Sequence, residues 1–178
     1  LAVNVAGGDV SGVDFNADLP TWTLIYVLDG DNDHDEIYQN VFNYIEAGTG
    51  KPGVNIVALW DQLGSGNSAY FWMKPDSDLK TMAAYTLGEE TWPQDELNMG
   101  DPAVLENFTA WAMDSFPAYH YALILDDHGD GLAGILRDDT SAGNLLTLKE
   151  LQTALLQTTA ARQKIDVLVA NACLRGMG

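Results

Sequence analysis

With one cysteine, Cys173, among its 178 residues, the chain cannot form an internal disulfide, and its redox compartment cannot be read from cysteine usage. Basic residues are scarce: 8 Lys and Arg stand against 26 Asp and Glu, a formal charge of −18. A surface of that sign repels phosphate backbones and anionic bilayers, which excludes nucleic acid and membrane surfaces as partners. The acidity reads as a solvated surface, and a marine, halophilic or secreted origin would each produce it. No apolar run approaches the roughly 18 residues of a membrane-spanning helix. The opening LAVNVAGGDVSGVDFNADLP lacks both a basic start and a long apolar segment, so we expect any signal or propeptide to have been removed already.

Core-forming material is plentiful. Apolar residues make up 47% of the chain and include five Trp, enough for one domain with a buried core. WTLIYVL (22–28) and VNIVALW (54–60) are nearly all apolar, as strands covered on both faces are. Between them Ile37, Val41 and Tyr44/Ile45 recur at helical spacing, with Gly48 placed as a C-terminal cap. YFWMK (70–74) reads as a short edge strand, and KPDSD and ETWPQDELNMG as turns. Asp101–Pro102 opens a second helix carrying Leu105, Phe108 and Trp111/Ala112 on one face, and YHYALIL (119–125) is the next strand. Thr147 and Glu150 spell a capping box for a third helix reaching about Ala161, before the strand IDVLVA (165–170). The order predicts a doubly wound parallel α/β sheet with right-handed crossovers.

The segment DDHGDGLAG (126–134) admits two readings. From Gly129 it spells the G-x-G-x-x-G of dinucleotide sites, but those glycines must open a helix facing phosphates. Here polar ILRDDTSAGN follows, a late strand precedes, and Asp130 adds a carboxylate, so this reading fails. The other reading places an imidazole, His128, just beyond one strand, while Cys173 stands just beyond the next. A right-handed crossover brings those strand ends side by side, where thiol and imidazole can serve as nucleophile and general acid/base. The N–H groups of Gly129 and Cys173 are then candidates to hold an oxyanion. Taken alone, a single cysteine after an apolar strand is more often a small buried hydrophobe.

Other candidates are weaker. DGDNDHDE (29–36) alternates acids, but His34 stands where a calcium-binding EF-hand needs Gly and Asn40 where it needs Glu, so it reads as a polar strand-to-helix turn. His34 and His120 read as solvated or packed, with His120 at the opposite end of its strand from His128. No G-x-S-x-G elbow or zinc spacing appears.

Four segments in order, WTLIYVLDGDND, ELNMGDPAVLENFTAWAMDSFPAYHYALILDDHGDG, DDTSAGNLLTLKELQTAL and IDVLVANACLRGMG, resemble the clostripain family of cysteine peptidases, in the caspase-like clan. The resemblance implies a caspase-like, doubly wound, mostly parallel sheet flanked by helices over residues 22–178, after an N-terminal lead-in of residues 1–21. It implies a cysteine endopeptidase with His128 as catalytic histidine and Cys173 as nucleophile, acting on peptides or proteins through an acyl-thioester. Where the family has an Asp two residues before its cysteine, helping to form a pocket for Arg or Lys, this chain has Asn171, which weakens strict basic specificity. Family members continue well past the cysteine, so the catalytic domain is expected to be incomplete at its C-terminus, completed by a second chain from the same precursor or by residues beyond a truncated sequence. The family's zymogens often cut themselves between histidine and cysteine. Of Arg137, Lys149, Arg162, Lys164 and Arg175, Arg137 in the polar loop is the candidate processing site. No cofactor is expected for the chemistry and no metal ligand is assigned; calcium, on which family members often depend, is expected at most as a structural or activating ion. A secreted protein is expected. A noncatalytic pseudopeptidase that binds or scaffolds is the main alternative, and a transpeptidase or ligase using the same acyl-thioester chemistry is a third.

Overall fold

The computed structural model describes residues 19–81, 85–86 and 96–173. The lead-in up to residue 18, the ETWPQ turn and the residues after Cys173, including Arg175, lie outside the described residues. Among the described residues the strands are β1 (Trp22–Gly30), β2 (Val54–Gln62), β3 (Ala69–Trp72), β4 (Tyr85–Thr86), β5 (His120–Asp126), β6 (Gly134–Asp138), β7 (Asn144–Thr147) and β8 (Val167–Asn171). The helices are α1 (Asp35–Gly48), α2 (Pro102–Ser115) and α3 (Leu148–Thr159).

Six strands form one sheet in the order β4-β3-β2-β1-β5-β8. The β2–β1–β5–β8 portion is parallel, while β3 and β4 are antiparallel. This is the expected mostly parallel sheet. The apolar residues of its central strands alternate between two cores. Ile25, Val27, Val57 and Leu59 pack with Val104, Leu105 and Phe108 of α2 and Ala154 of α3. Leu28, Ile56, Ala58 and Trp60 meet Tyr38 and Phe42 of α1 on the opposite face. That division is the period-two geometry of a strand buried on both sides. From β1 the chain first winds outward through β2 and β3, then returns to β5 on the other flank of β1. The reversal puts the carboxyl ends of β1 and β5 at a topological switch point, where open α/β sheets build their sites.

Caps set the helix limits. Asp101 Oδ1 accepts the Ala103 N–H at 2.9 Å with Pro102 in the first turn, and Thr147 and Glu150 form the reciprocal capping box. Gly48 is not the cap expected of it: α1 runs through it, and the Thr49 N–H and hydroxyl both donate to Glu46 O, at 3.0 and 2.8 Å. The third helix stops at Thr159, two residues short of expectation.

Two further departures concern strands. β3 is not an edge, because β4 pairs along its outer side. The polar segment after His128 is not an open loop: β6 and β7 form an antiparallel hairpin with an irregularity between Ile135 and Arg137. Leu136, at φ 59°, occupies that irregularity and is fully buried. Gly134 is required there, since a Cβ would come within 2.5 Å of Leu146 O across the hairpin. At the other flank, β8 leaves Val167, Leu168 and Val169 between 41 and 46% exposed. A groove of about 480 Å³ beside it is lined by Leu148, Leu151, Leu155, Ile165 and Leu168. No helix among the described residues is long and apolar enough to cross a membrane.

Phe108 is fully buried and its ring centroid lies 4.6 Å from that of Tyr70. Phe108→Ala should destabilise the protein by about 3–5 kcal/mol in urea unfolding, whereas Leu132→Ala, at an 82% exposed position, should change stability by less than about 0.5 kcal/mol. Similar costs at the two positions would contradict this core.

Candidate active site

Register decides where the two reactive groups emerge. β5 and β8 pair in parallel with Asp126 opposite Asn171. His128 and Cys173 therefore each stand two residues beyond a paired position at the same edge of the sheet, on strands roughly 4.8 Å apart. Cys173 is exposed. Two hydrogen bonds tie the strand ends: Asn171 Nδ2 donates to Asp126 Oδ2 at 2.8 Å, and the Asp127 N–H to Asn171 O at 3.4 Å. Tyr38 OH holds the other Asp126 oxygen at 3.0 Å.

The turn after β1 supplies the surroundings of His128. His128 Nε2 lies 2.5 Å from Asp33 Oδ1, and the His34 ring stacks on that of His128 at 3.9 Å between centroids. His34 in turn places Nδ1 3.7 Å from the buried Asp127. Beneath them Asn32 Nδ2 donates to Asp127 Oδ1 at 2.8 Å and to Arg137 O at 3.0 Å, while the Arg137 N–H donates to the second Asp127 oxygen. The bulge at Leu136 turns the Arg137 amide toward that carboxylate. An isolated bridge from Gly129 to Ile135 and an Asp130 N–H bond to Gly134 O at 3.1 Å fasten the H-G dipeptide to the hairpin. A cleft of about 450 Å³ opens beside His128, lined by Gly129, Asp130, Arg137, Gly143 and Leu145.

Charge is distributed unevenly around this edge. The His128 ring holds the exposed Asp33 carboxyl below the usual carboxylate range. Burial pushes the Asp127 carboxyl up against the pull of the Arg137 N–H, and burial raises Asp29 further, with Asp127 and Asp61 adding to it. Asp61 is pushed up to about 8, again chiefly by burial.

The structure thus brings His128, Gly129, Asn171 and Cys173 to one edge. It also adds Asp33 and His34, which composition and spacing left as a polar turn and a solvated or packed ring. The signal for them was topological: in a doubly wound sheet the residues after β1 border those after β5. His120 lies at the far end of β5 as expected, against Trp22 at 4.9 Å and beside Asp166. Arg137 corrects its expected setting, standing in β6 with both backbone groups hydrogen-bonded and only its side chain exposed.

The chain thus forms a mostly parallel, helix-flanked sheet with an imidazole and a thiol beyond adjacent strand ends. The family model of the clostripain family, Peptidase C11, matches residues 25–178, and the chain belongs to that family. It is 26% identical over 182 residues to clostripain of Hathewaya histolytica, covering 86% of this chain and 34% of that protein. In three dimensions it resembles a secreted C11 cysteine protease from Bacteroides thetaiotaomicron, solved with an irreversible peptide inhibitor, with a TM-score of 0.67, 20% identity and coverage of 86% of this chain and 42% of that one. It also resembles an inactive zymogen C11 protease from Parabacteroides distasonis, with a TM-score of 0.63, 23% identity and coverage of 88% and 42%. The chain spans about a third of the curated relative and less than half of those structures.

The downward shift at Asp33 has a defined sign. Its pairing with His128 is complete above the ordinary Asp range and is lost as pH falls through the lowered Asp33 value. In a carbon-detected NMR titration, His128→Phe should raise the Asp33 midpoint toward the ordinary carboxylate range, since the largest lowering contact is removed. An unchanged Asp33 titration would show that the pair is absent in solution.

Proposed function

We propose that this chain carries both catalytic groups of a cysteine endopeptidase. The observation that carries the reading is the pairing of Asp126 with Asn171, which sets His128 and Cys173 at matched positions beyond neighbouring parallel strands. In the reaction proposed, His128 takes the Cys173 proton as the sulfur attacks the scissile carbonyl, giving a tetrahedral oxyanion. The N–H groups of Gly129 and Cys173 are the proposed donors to that oxyanion. Its collapse passes the proton from His128 to the departing amine and leaves an acyl-thioester, which water, deprotonated by His128, hydrolyses to acid and free thiol. With Nε2 directed at Asp33, Nδ1 is the ring nitrogen left for the thiol.

A basic residue at P1 is part of the proposal. Asn171 lacks the charge that such a pocket needs, but its amide is hydrogen-bonded to the Asp126 carboxylate, so a negative group stands 2.8 Å from it. Asp126 is the proposed partner of the Arg or Lys side chain. We further propose that the remainder of the protein, in the same chain or in a second chain from one precursor, packs against the open flank of β8, whose apolar side chains are exposed. Processing at Arg137 requires β6 to open first, because the Arg137 N–H and C=O are both hydrogen-bonded. The relatives described as secreted and as a zymogen support an exported precursor.

The test is intact mass after exposing the full-length protein to Arg-, Lys- and Leu-terminated acyloxymethyl ketones. One label per chain, fastest with Arg or Lys and abolished by Cys173→Ala, is expected. Asp126→Asn should reduce the preference for basic over Leu probes about tenfold or more. A folded protein that takes no label would overturn the peptidase reading in favour of a noncatalytic binding domain. Labelling with Leu preferred would overturn only the P1 assignment.

A further inference from the structure

In the sheet, β1 and β8 flank β5 on opposite edges. Cys173 follows β8, whereas the β6–β7 hairpin leans the other way, toward the turn after β1: Asn32 Nδ2 donates to Arg137 O, and the Asp139 N–H donates to Asp31 O at 3.0 Å. The cleft built on that hairpin therefore lies on the side of His128 away from Cys173. Arg137 and Leu145 are paired across the hairpin and so share one of its faces, and both line this cleft.

Arg137 is the one Arg or Lys in the lining. Its side chain is 58% exposed, and Nε pairs with Asp139 Oδ1 at 3.1 Å, while its two Nη groups have no hydrogen-bonding or ion-pair partner among the described residues. Gly143, at φ 68°, puts no side chain over the guanidinium; a Cβ there would stand 3.6 Å from Nη2. A guanidinium with both terminal nitrogens open presents the fork that a carboxylate fits with two parallel hydrogen bonds. Its place beside the imidazole gives the fork a use. A general acid that protonates a departing amine stands on the leaving side of the scissile bond, so the substrate chain beyond that bond runs past His128.

We propose that this cleft is the subsite for the first two residues after the scissile bond, and that Arg137 there selects an acidic side chain, Asp or Glu. The inference rests on the peptidase reading and specifies its substrate on the side opposite P1. In a chain of formal charge −18, whose field disfavours acidic peptides, the selection falls to this one cation. Asp130, the acid in the lining, favours the opposite charge, and the test separates the two. The candidate processing bond carries the selected chemistry itself, since Arg137 is followed by Asp138 and Asp139.

The experiment measures kcat/KM of the full-length protein on internally quenched peptides that carry the P1 residue preferred in the ketone series and Glu, Gln or Lys at each of the next two positions. At low ionic strength Glu should exceed its isostere Gln by about fivefold at one of these positions, and added salt should shrink the ratio. Arg137→Ala should bring the Glu/Gln ratio to one or below, and Arg137→Glu should favour Lys. Each ratio compares substrates on one preparation, so it does not depend on how much of the protein has been processed at Arg137. Glu and Gln cleaved equally by the unaltered protein, or a ratio that Arg137→Ala leaves intact, overturns the inference. Lys preferred by the unaltered protein assigns the cleft to Asp130 and overturns it as well. In those three cases ketone labelling of Cys173 persists and the peptidase reading stands, whereas a folded protein that neither labels nor cleaves overturns both. The Glu/Gln comparison in the unaltered protein decides the matter should the variants not fold.

Discussion

The hydrogen bonds shared by Asn32 and Asp127 are the constraint on which the candidate edge depends. The Asn32 amide reaches Asp127, Arg137 O and, at 3.3 Å, Asp29 O, while Asp127 accepts from Arg137 as well. Three segments distant in sequence are thereby locked: the turn after β1, the turn after β5, and the bulged strand β6. His128 itself is only partly buried, so its position at the strand end rests on that lock together with the Asp33 hydrogen bond and the His34 stack. Burying the Asp127 carboxylate raises its pKa, and the amide donors aimed at it offset part of that cost.

Much of the fold was legible because its signals are local and strong. Apolar runs such as WTLIYVL and VNIVALW admit few alternatives to buried strands once helices of opposite periodicity separate them. Asp101–Pro102 and Thr147/Glu150 mark helix starts by chemistry that survives folding unchanged. The hairpin of β6 and β7 was hidden because its pairing relies on Gly134, a left-handed Leu136 and the docking of Ile135 and Leu146 in the core, none of which produces an alternating pattern. Gly48 misled for the opposite reason: Thr49 caps α1 in an extended conformation, so no left-handed glycine is needed.

The site was legible in part. The shared edge of His128 and Cys173 follows from strand ends and crossover handedness, which are properties of chain order. Asp33 and His34 required the knowledge that β1 lies beside β5, and the Asn171–Asp126 bond required the register. That bond changes the meaning of Asn171. Read alone, it is a missing charge; paired with Asp126, it is an amide resting on a carboxylate at the same edge. The acidity that first read as surface also proves to be divided, since several of the Asp residues are interior and cluster behind the site.

The central proposal is spatial: that the Cys173 sulfur and the His128 imidazole, two residues beyond the paired Asp126 and Asn171, come within reach of one another. A bifunctional alkylating agent, 1,3-dibromoacetone, measures this directly on the full-length protein, because its two reactive carbons are separated by a single carbonyl. Peptide mapping should recover Cys173 cross-linked to His128, with Asp33 and His34 unmodified. Alkylation of Cys173 in a folded protein with no bond to His128 would contradict the account.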